Sequence, residues 1–229
     1  MSRILLLLSL AASLASAIPL DCTPGSLSSY LALPGEGCRI GQTVVSGFVD
    51  PGVLPGSTPL LANSILVNPL FDTYAEGLLF TYRANAGPGD VLESVVQFSV
   101  SALAGNHTYG SLAAGGLVAT PNGVAIGSTE FCFGSYDATG TCQGASVAAL
   151  VAADGVDVFP FDRKDFAPVP SFMVRHDVVL DGGSIGGASI DTAEVRFGVV
   201  PEPTTVGMFA IATFLGFLGV RSRRGGSHE

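Results

Sequence analysis

One motif matches the nucleophile elbow of serine hydrolases. Gly182-Gly-Ser184-Ile-Gly186 has the pattern Gly-x-Ser-x-Gly. A hydrolase needs this serine at a turn from a strand into a helix, followed later in the chain by a histidine base. The only later histidine is His228, and the residues after Gly186 lack the pattern of an amphipathic helix. The sequence therefore predicts a hairpin turn here, and we assign no catalytic residue.

Four aspartates fall within twelve positions of the chain: Asp154, Asp157, Asp162 and Asp165. Carboxylates in a loop can bind Ca²⁺, which prefers six to eight oxygen ligands. The spacing is not that of an EF-hand, and Arg163 and Lys164 would neutralise part of the acidic charge. A calcium loop and a solvated acidic loop both stay open as interpretations. We assign no metal ligand and no cofactor.

Two histidines and several aromatic residues are further candidates. His107 and His176 could serve as a base or a metal ligand, but His176 alternates with apolar residues, which favours a core position. Exposed aromatic rings could stack on sugar rings, whereas buried ones would build the core, which is the interpretation favoured for most of them. The aromatic candidates are Phe71, Tyr74, Phe80, Tyr82, Tyr109, Phe131, Phe133 and Tyr136.

The elements that would position these residues are β-strands. Val96, Phe98 and Val100 alternate with polar residues, and the same period of two recurs over residues 172–180 and 194–199. Turn-forming Pro-Gly, Asn-Gly and Asp-Gly pairs separate the runs. Further predicted strands are 41–49, 64–67, 77–83, 111–120, 124–133 and 145–153. The pattern predicts an all-β ectodomain over residues 18–199, with a β-sandwich or jelly-roll-like fold.

Four cysteines allow two disulfides in three possible connectivities. We favour Cys22–Cys38 and Cys132–Cys142, because each pair brackets a local, turn-rich loop. The spacing lacks the close cysteine pairs of a zinc site.

The composition excludes several classes of protein. Hydrophobic residues make up 48% of the 229 residues, too many for a disordered acidic tail, and the glycines lack the period of three of collagen. The formal charge of −9 and the single lysine, Lys164, argue against a nucleic-acid partner, which needs a basic surface.

Both ends of the chain are apolar. Residues 1–17 combine Arg3, an apolar core and the Ala-Ser-Ala17 pattern of a secretory signal peptide, with cleavage expected after Ala17. Residues 204–220 contain no charge and are long enough to span a bilayer as one transmembrane helix. The basic cluster Arg221, Arg223 and Arg224 favours the cytoplasmic side for the end of that helix.

The C-terminal arrangement resembles the PEP-CTERM sorting signal of Gram-negative bacteria. Pro201, Glu202 and Pro203 correspond to its motif, residues 204–220 to its helix and residues 221–224 to its basic cluster, with a tail over 225–229. Cys38-Arg-Ile-Gly41 is similar to a segment near the mature start of many such proteins. The resemblance implies an exosortase as processing partner, membrane attachment before processing, and delivery to the cell surface or extracellular matrix, often in biofilm-forming species.

These features together predict a non-enzymatic envelope or matrix protein with a structural or adhesive role, associated with exopolysaccharide. A polysaccharide-binding, lectin-like module is the alternative, and a secreted hydrolase is a third.

Overall fold

The computed structural model describes residues 19–72 and 75–200. The predicted signal peptide and cleavage site, the motif 201–203, the helix 204–220, the basic cluster and the tail lie outside the described residues. Within residues 19–72 and 75–200, no helix has the length and apolar content needed to cross a membrane. The elements of this part are β1 (Gly25–Ser26), α1 (Leu27–Leu31), β2 (Cys38–Ile40), β3 (Thr43–Val49), β4 (Thr58–Pro59), β5 (Leu66–Leu70), β6 (Glu76–Ala86), β7 (Val91–Ala102), β8 (Asn106–Gly115), β9 (Val118–Ala119), β10 (Val124–Cys132), β11 (Ser146–Ala153), β12 (Val158–Phe159), β13 (Phe161–Val169), β14 (Ser171–Asp181) and β15 (Ala188–Val200).

The strands form two open sheets that pack face to face. Sheet A has the order β12-β11-β10-β14-β7-β3-β2, with β4 also paired to β7. Sheet B has the order β1-β5-β6-β15-β8-β13, with β9 also paired to β15. Among the described residues, the strands pair antiparallel except β4 with β7, which are parallel. The prediction of an all-β fold is confirmed, and the two open sheets are consistent with the predicted β-sandwich.

Alternation along the central strands separates an inner face from an outer face. On β14, the even-numbered residues from Phe172 to Leu180 are buried and the odd-numbered ones are partly exposed. β14 pairs with β7 so that His176 lies opposite Val96 and Arg175 opposite Gln97. Because side chains directly opposite in a ladder share a face, the outer face of sheet A is defined by Arg175, Asp177 and their partners.

Aromatic rings join the two sheets in the core. Phe172 of sheet A is fully packed, with its ring centroid 5.2–6.4 Å from five other rings. The five rings belong to His107, Phe131, Phe133, Phe166 and Phe197. Phe166 and Phe197 come from sheet B, so this cluster holds the sheets against each other.

The structure corrects several predicted strand limits. The predicted strand 64–67 is displaced to Leu66–Leu70, and the predicted strand 111–120 is replaced by β8 and β9. Asp162 and Asp165, predicted to lie in an acidic loop, lie on the edge strand β13. The prediction for 145–153, which helix propensity also fits, is confirmed as strand β11.

The two disulfides are those favoured from the sequence: Cys22–Cys38 and Cys132–Cys142. The first ties the chain before α1 to β2. The second ties the end of β10 to the loop that follows it. Disulfides form and persist in oxidising compartments, so the pairing indicates an extracellular or oxidising environment.

Candidate functional site

The serine motif lies in a turn between two strands. Residues 182–187 connect β14 of sheet A to β15 of sheet B, so the turn is not the hairpin that was predicted and not a strand-to-helix elbow. Backbone hydrogen bonds from Gly89 N to Gly183 O (2.6 Å) and from Thr120 N to Gly187 O (2.9 Å) hold three loops together. Added Cβ atoms at Gly182 or Gly183 would overlap neighbouring backbone. The glycines therefore serve close loop packing.

The four aspartates do not converge on a cation site. Asp154 caps its own turn by accepting from the backbone of Val156 (3.0 Å) and Asp157 (2.9 Å). Asp162 pairs with Lys164, and Asp165 pairs with Arg163. Asp162 and Asp165 are three residues apart on one strand, so they point to opposite faces. Among the described residues, no group of three metal-ligating side chains forms.

Both histidines belong to the core. His107 is fully buried, and neither ring nitrogen has a protein hydrogen-bond partner. His176 is also fully buried and stacks on Phe80, with Nδ1 2.9 Å from Thr129 Oγ1. Burial lowers the pKa of each histidine to about 4. The core interpretation of His176 is confirmed, and the surroundings of His107 are equally apolar.

Most of the aromatic candidates are core residues or are already covered. Phe80, Tyr82 and Phe131 are buried. Tyr109 carries the Arg163 guanidinium 3.7 Å above its ring centre. Phe71 is exposed, Phe133 and Tyr136 are partly exposed, and Tyr74 lies outside the described residues. The candidate aromatic residues therefore do not form a broad stacking platform.

Sequence reasoning missed a polar cluster on the outer face of sheet A. We call Glu93, Gln97, Arg175 and Asp177 the polar strip. Gln97 lies opposite Arg175, and Glu93 is diagonal to Asp177 across the β7–β14 ladder. Glu93 and Gln97 are at least nine-tenths buried. Glu93 Oε1, Gln97 Nε2 and Asp177 Oδ1 are buried atoms without a protein hydrogen-bond partner. Buried polar atoms in folded proteins are normally bonded, so these atoms lack partners that a ligand group or a water molecule reaching them would supply.

The carboxylates of Glu93 and Asp177 are close enough for their charges to interact. Burial, and then the charge of Glu93, raise the pKa of Asp177 to about 6, against the opposing effect of Arg175. The Arg175 guanidinium lies 3.9 Å from Asp177 Oδ2, a loose ion pair. The Asp177 side chain remains 20% exposed, so it is the carboxylate that solvent can reach.

Two loops border the polar strip. Leu54 N donates to Glu93 Oε2 (2.8 Å), which fixes the loop of residues 50–57 at one end. Arg175 Nη1 donates to the Gly140 carbonyl (3.2 Å), which fixes the loop of residues 133–145 at the other end. The disulfide Cys132–Cys142 closes this second loop onto the sheet. Because both loops are tied down, the strip between them is preorganised.

A cleft of about 320 Å³ adjoins the strip beside the second loop. Ser99, Ser101 and Ser171 line it, together with Phe133, whose ring packs against Phe166 and Phe172 in the core. Ser99 follows Gln97 on the same face of β7, since the two residues are two positions apart. Together, the strip and this serine cleft offer hydrogen-bond donors and acceptors.

A larger cleft of about 470 Å³ lies beside the Cys22–Cys38 disulfide. It is lined mainly by apolar groups, including Leu20, Tyr30 and Leu33. Its acid Asp21 is already paired with Arg39 at 2.7 Å. This cleft lacks the convergent polar atoms of the outer face, so the outer face of sheet A is the stronger candidate.

The sequence held a weak signal for this site. Gln97, Ser99 and Ser101 alternate with the apolar residues of β7, but the same pattern is typical of any solvated face. Burial of Glu93 and Gln97 beneath loops distinguishes the site, and burial depends on tertiary structure.

Comparisons with known proteins reveal distant structural neighbours. No family model matches the sequence, and no curated protein matches it. The enzymatically active domain of tailspike protein 4 from bacteriophage CBA120 is 13% identical to this chain, with a TM-score of 0.26. The match covers 73% of this chain and 21% of the tailspike chain. TmCBM61, solved with beta-1,4-galactotriose, is 13% identical with a TM-score of 0.23, covering 71% of this chain and 95% of its own. The arabinose-bound α-L-arabinofuranosidase MgGH51 is 13% identical with a TM-score of 0.23, covering 80% of this chain and 25% of its own. This chain spans about a fifth of the tailspike domain and a quarter of the arabinofuranosidase chain.

Proposed function

We propose that this chain is an exported cell-surface or matrix protein that binds polysaccharide through the outer face of sheet A. The observation that carries the proposal is the set of unpartnered, buried polar atoms on the polar strip, next to a cleft lined by three serines. Sugars present hydroxyl groups that donate and accept, and such groups match a surface with both unpaired donors and unpaired acceptors. The role is adhesion, not turnover.

Polysaccharide binding is tested by affinity gel electrophoresis of the full-length chain in gels containing soluble polysaccharides. We expect retardation by at least one polysaccharide, and a loss of affinity of about tenfold in the double variant Gln97→Ala/Ser99→Ala. Loss of one or two hydrogen bonds to a ligand, each contributing about 0.5–1.5 kcal/mol, accounts for that loss.

The matched control is Thr81→Ala/Thr192→Ala, which alters two partly exposed side chains that lie opposite each other on β6 and β15 of sheet B. We expect this control to retain wild-type affinity. Equal losses in both double variants, or no retardation by any polysaccharide, would contradict the proposal.

We propose further that the protein reaches the surface through the PEP-CTERM-like signal, with an exosortase as its processing partner. β15 ends at Val200, directly before Pro201, so the motif follows the last strand of the sandwich without a spacer. Membrane attachment through residues 204–220 would precede processing.

Mass spectrometry of the surface-exposed protein from its native cell tests this sorting route. We expect peptides ending before the basic cluster Arg221–Arg224, because processing removes the residues beyond the cleavage point. Surface protein that carries an intact Arg221–Arg224 segment in every molecule would contradict exosortase processing.

A further inference from the structure

The polar strip carries more acid than base. Glu93 and Asp177 lie on it with a single guanidinium, that of Arg175, and Glu130 lies opposite Arg175 on β10. Each of these residues points to the outer face of sheet A, because they occupy directly or diagonally opposed positions in the ladders. The local formal charge of the four groups is therefore negative.

The acidic groups are only partly compensated within the chain. Leu54 N bonds one oxygen of Glu93, but Glu93 Oε1 and Asp177 Oδ1 have no protein partner. Arg175 divides its donors between the Gly140 carbonyl and a loose contact with Asp177. A buried carboxylate oxygen without a donor is costly, and a cationic donor supplied by a ligand would remove that cost.

The rest of the chain reinforces the charge preference. Residues 18–200 contain 17 acidic and six basic residues, so the long-range field of the body is negative. Such a field attracts cationic ligands and repels polymers of uronic acids. Gln97 Nε2, unpartnered beside Arg175, adds a neutral donor for a sugar hydroxyl or ring oxygen.

Resting on the proposed binding function, we infer that the ligand class is a polysaccharide with free amino groups, whose ammonium contacts Asp177 on the polar strip. Asp177 is the accessible carboxylate, and Glu93 lies behind it beneath the loop of residues 50–57. The serine cleft then accommodates the hydroxyl groups of the neighbouring sugar.

Isothermal titration of the full-length chain compares three probes at pH 6.8 and about 150 mM salt. The probes are the β-1,4-linked hexamer of glucosamine, the corresponding hexamer of N-acetylglucosamine, and a hexamer of galacturonic acid. We expect the glucosamine hexamer to bind at least tenfold more tightly than its acetylated form, with no binding of the uronic acid. Asp177→Asn should reduce this preference to less than twofold, while the acetylated hexamer retains its affinity.

Non-specific attraction of a polycation to an acidic protein is measured by Asp157→Asn, the same change of charge in the exposed turn before β12. This control should retain the full preference.

Equal binding of the two glucosamine-based hexamers, or an equal effect of both Asn variants, would overturn the inference and leave polysaccharide binding intact. Failure of wild-type protein to bind any polysaccharide, in these titrations or in the gels, would overturn the proposed function itself. Melting temperatures of the variants within about 3 °C of wild type exclude loss of fold as the cause.

Discussion

Acidification from pH 7.5 to pH 5 is expected to reduce the free energy of unfolding by about 2 kcal/mol for each of His107 and His176. Both have a folded-state pKa of about 4, below the value of about 6.5 in the unfolded chain. The unfolded state therefore takes up protons first as the pH falls. The contribution of the two neutral histidines to the free energy of unfolding is fully present above pH 6.5 and is lost progressively down to about pH 4.

Asp177 works in the opposite direction over nearly the same range. Its folded-state pKa of about 6 lies above its ordinary value of 3.8, so the folded state takes up the proton first. Protonation of Asp177 therefore raises the free energy of unfolding by about 1 kcal/mol between pH 7.5 and pH 5. The net expected loss at pH 5 is about 3 kcal/mol.

Urea unfolding of the full-length chain at both pH values measures these contributions. His107→Phe should remove about 2 kcal/mol of the pH dependence, because Phe does not take up a proton. The fold should tolerate this change, because Phe has a similar shape and both nitrogens of His107 lack protein partners. Asp177→Asn is the control of opposite sign and should steepen the pH dependence. An unchanged pH dependence in His107→Phe would show that this ring is not held neutral in the folded state.

Phe172→Ala is expected to reduce the free energy of unfolding by about 4 kcal/mol. Phe172 is 3% exposed, and its ring meets rings from both sheets, so truncation leaves a cavity at the point where the sheets join. The surrounding rings are held on separate strands and can collapse only partly into that space. The measurement is the urea midpoint at pH 7.5.

Phe161→Ala is the matched control, since the same truncation is made on the edge strand β13 where the side chain is 60% exposed. We expect a change within about 0.5 kcal/mol. Similar losses in the two variants would mean that Phe172 does not join the sheets.

The fold was predictable where alternation was regular. β7, β14 and β15 each alternate over many residues, and the structure places all three in the interior of a sheet. β13 escaped prediction because Asp162, Arg163, Lys164 and Asp165 interrupt its apolar alternation with charges that pair along the strand. Two-residue strands such as β4 carry no periodic signal, since their pairing depends on a distant partner.

The candidate site was harder to predict from the sequence than the fold was. Glu93 and Asp177 are 84 positions apart in the chain, and only the β7–β14 register brings them onto one face. The disulfides were predictable because their partners are close in sequence. The burial of Glu93 was not, because a loop from elsewhere in the chain covers it.

The position of β15 in its sheet has a mechanical consequence. This strand is paired on both sides, to β6 and to β8, and its last residue, Val200, leads directly into the following segment of the chain. Ladder hydrogen bonds run perpendicular to the strands, so tension along β15 loads many of them together in shear. A pulling force applied beyond Val200 would therefore have to shear two ladders of hydrogen bonds at once, and could not open them one by one.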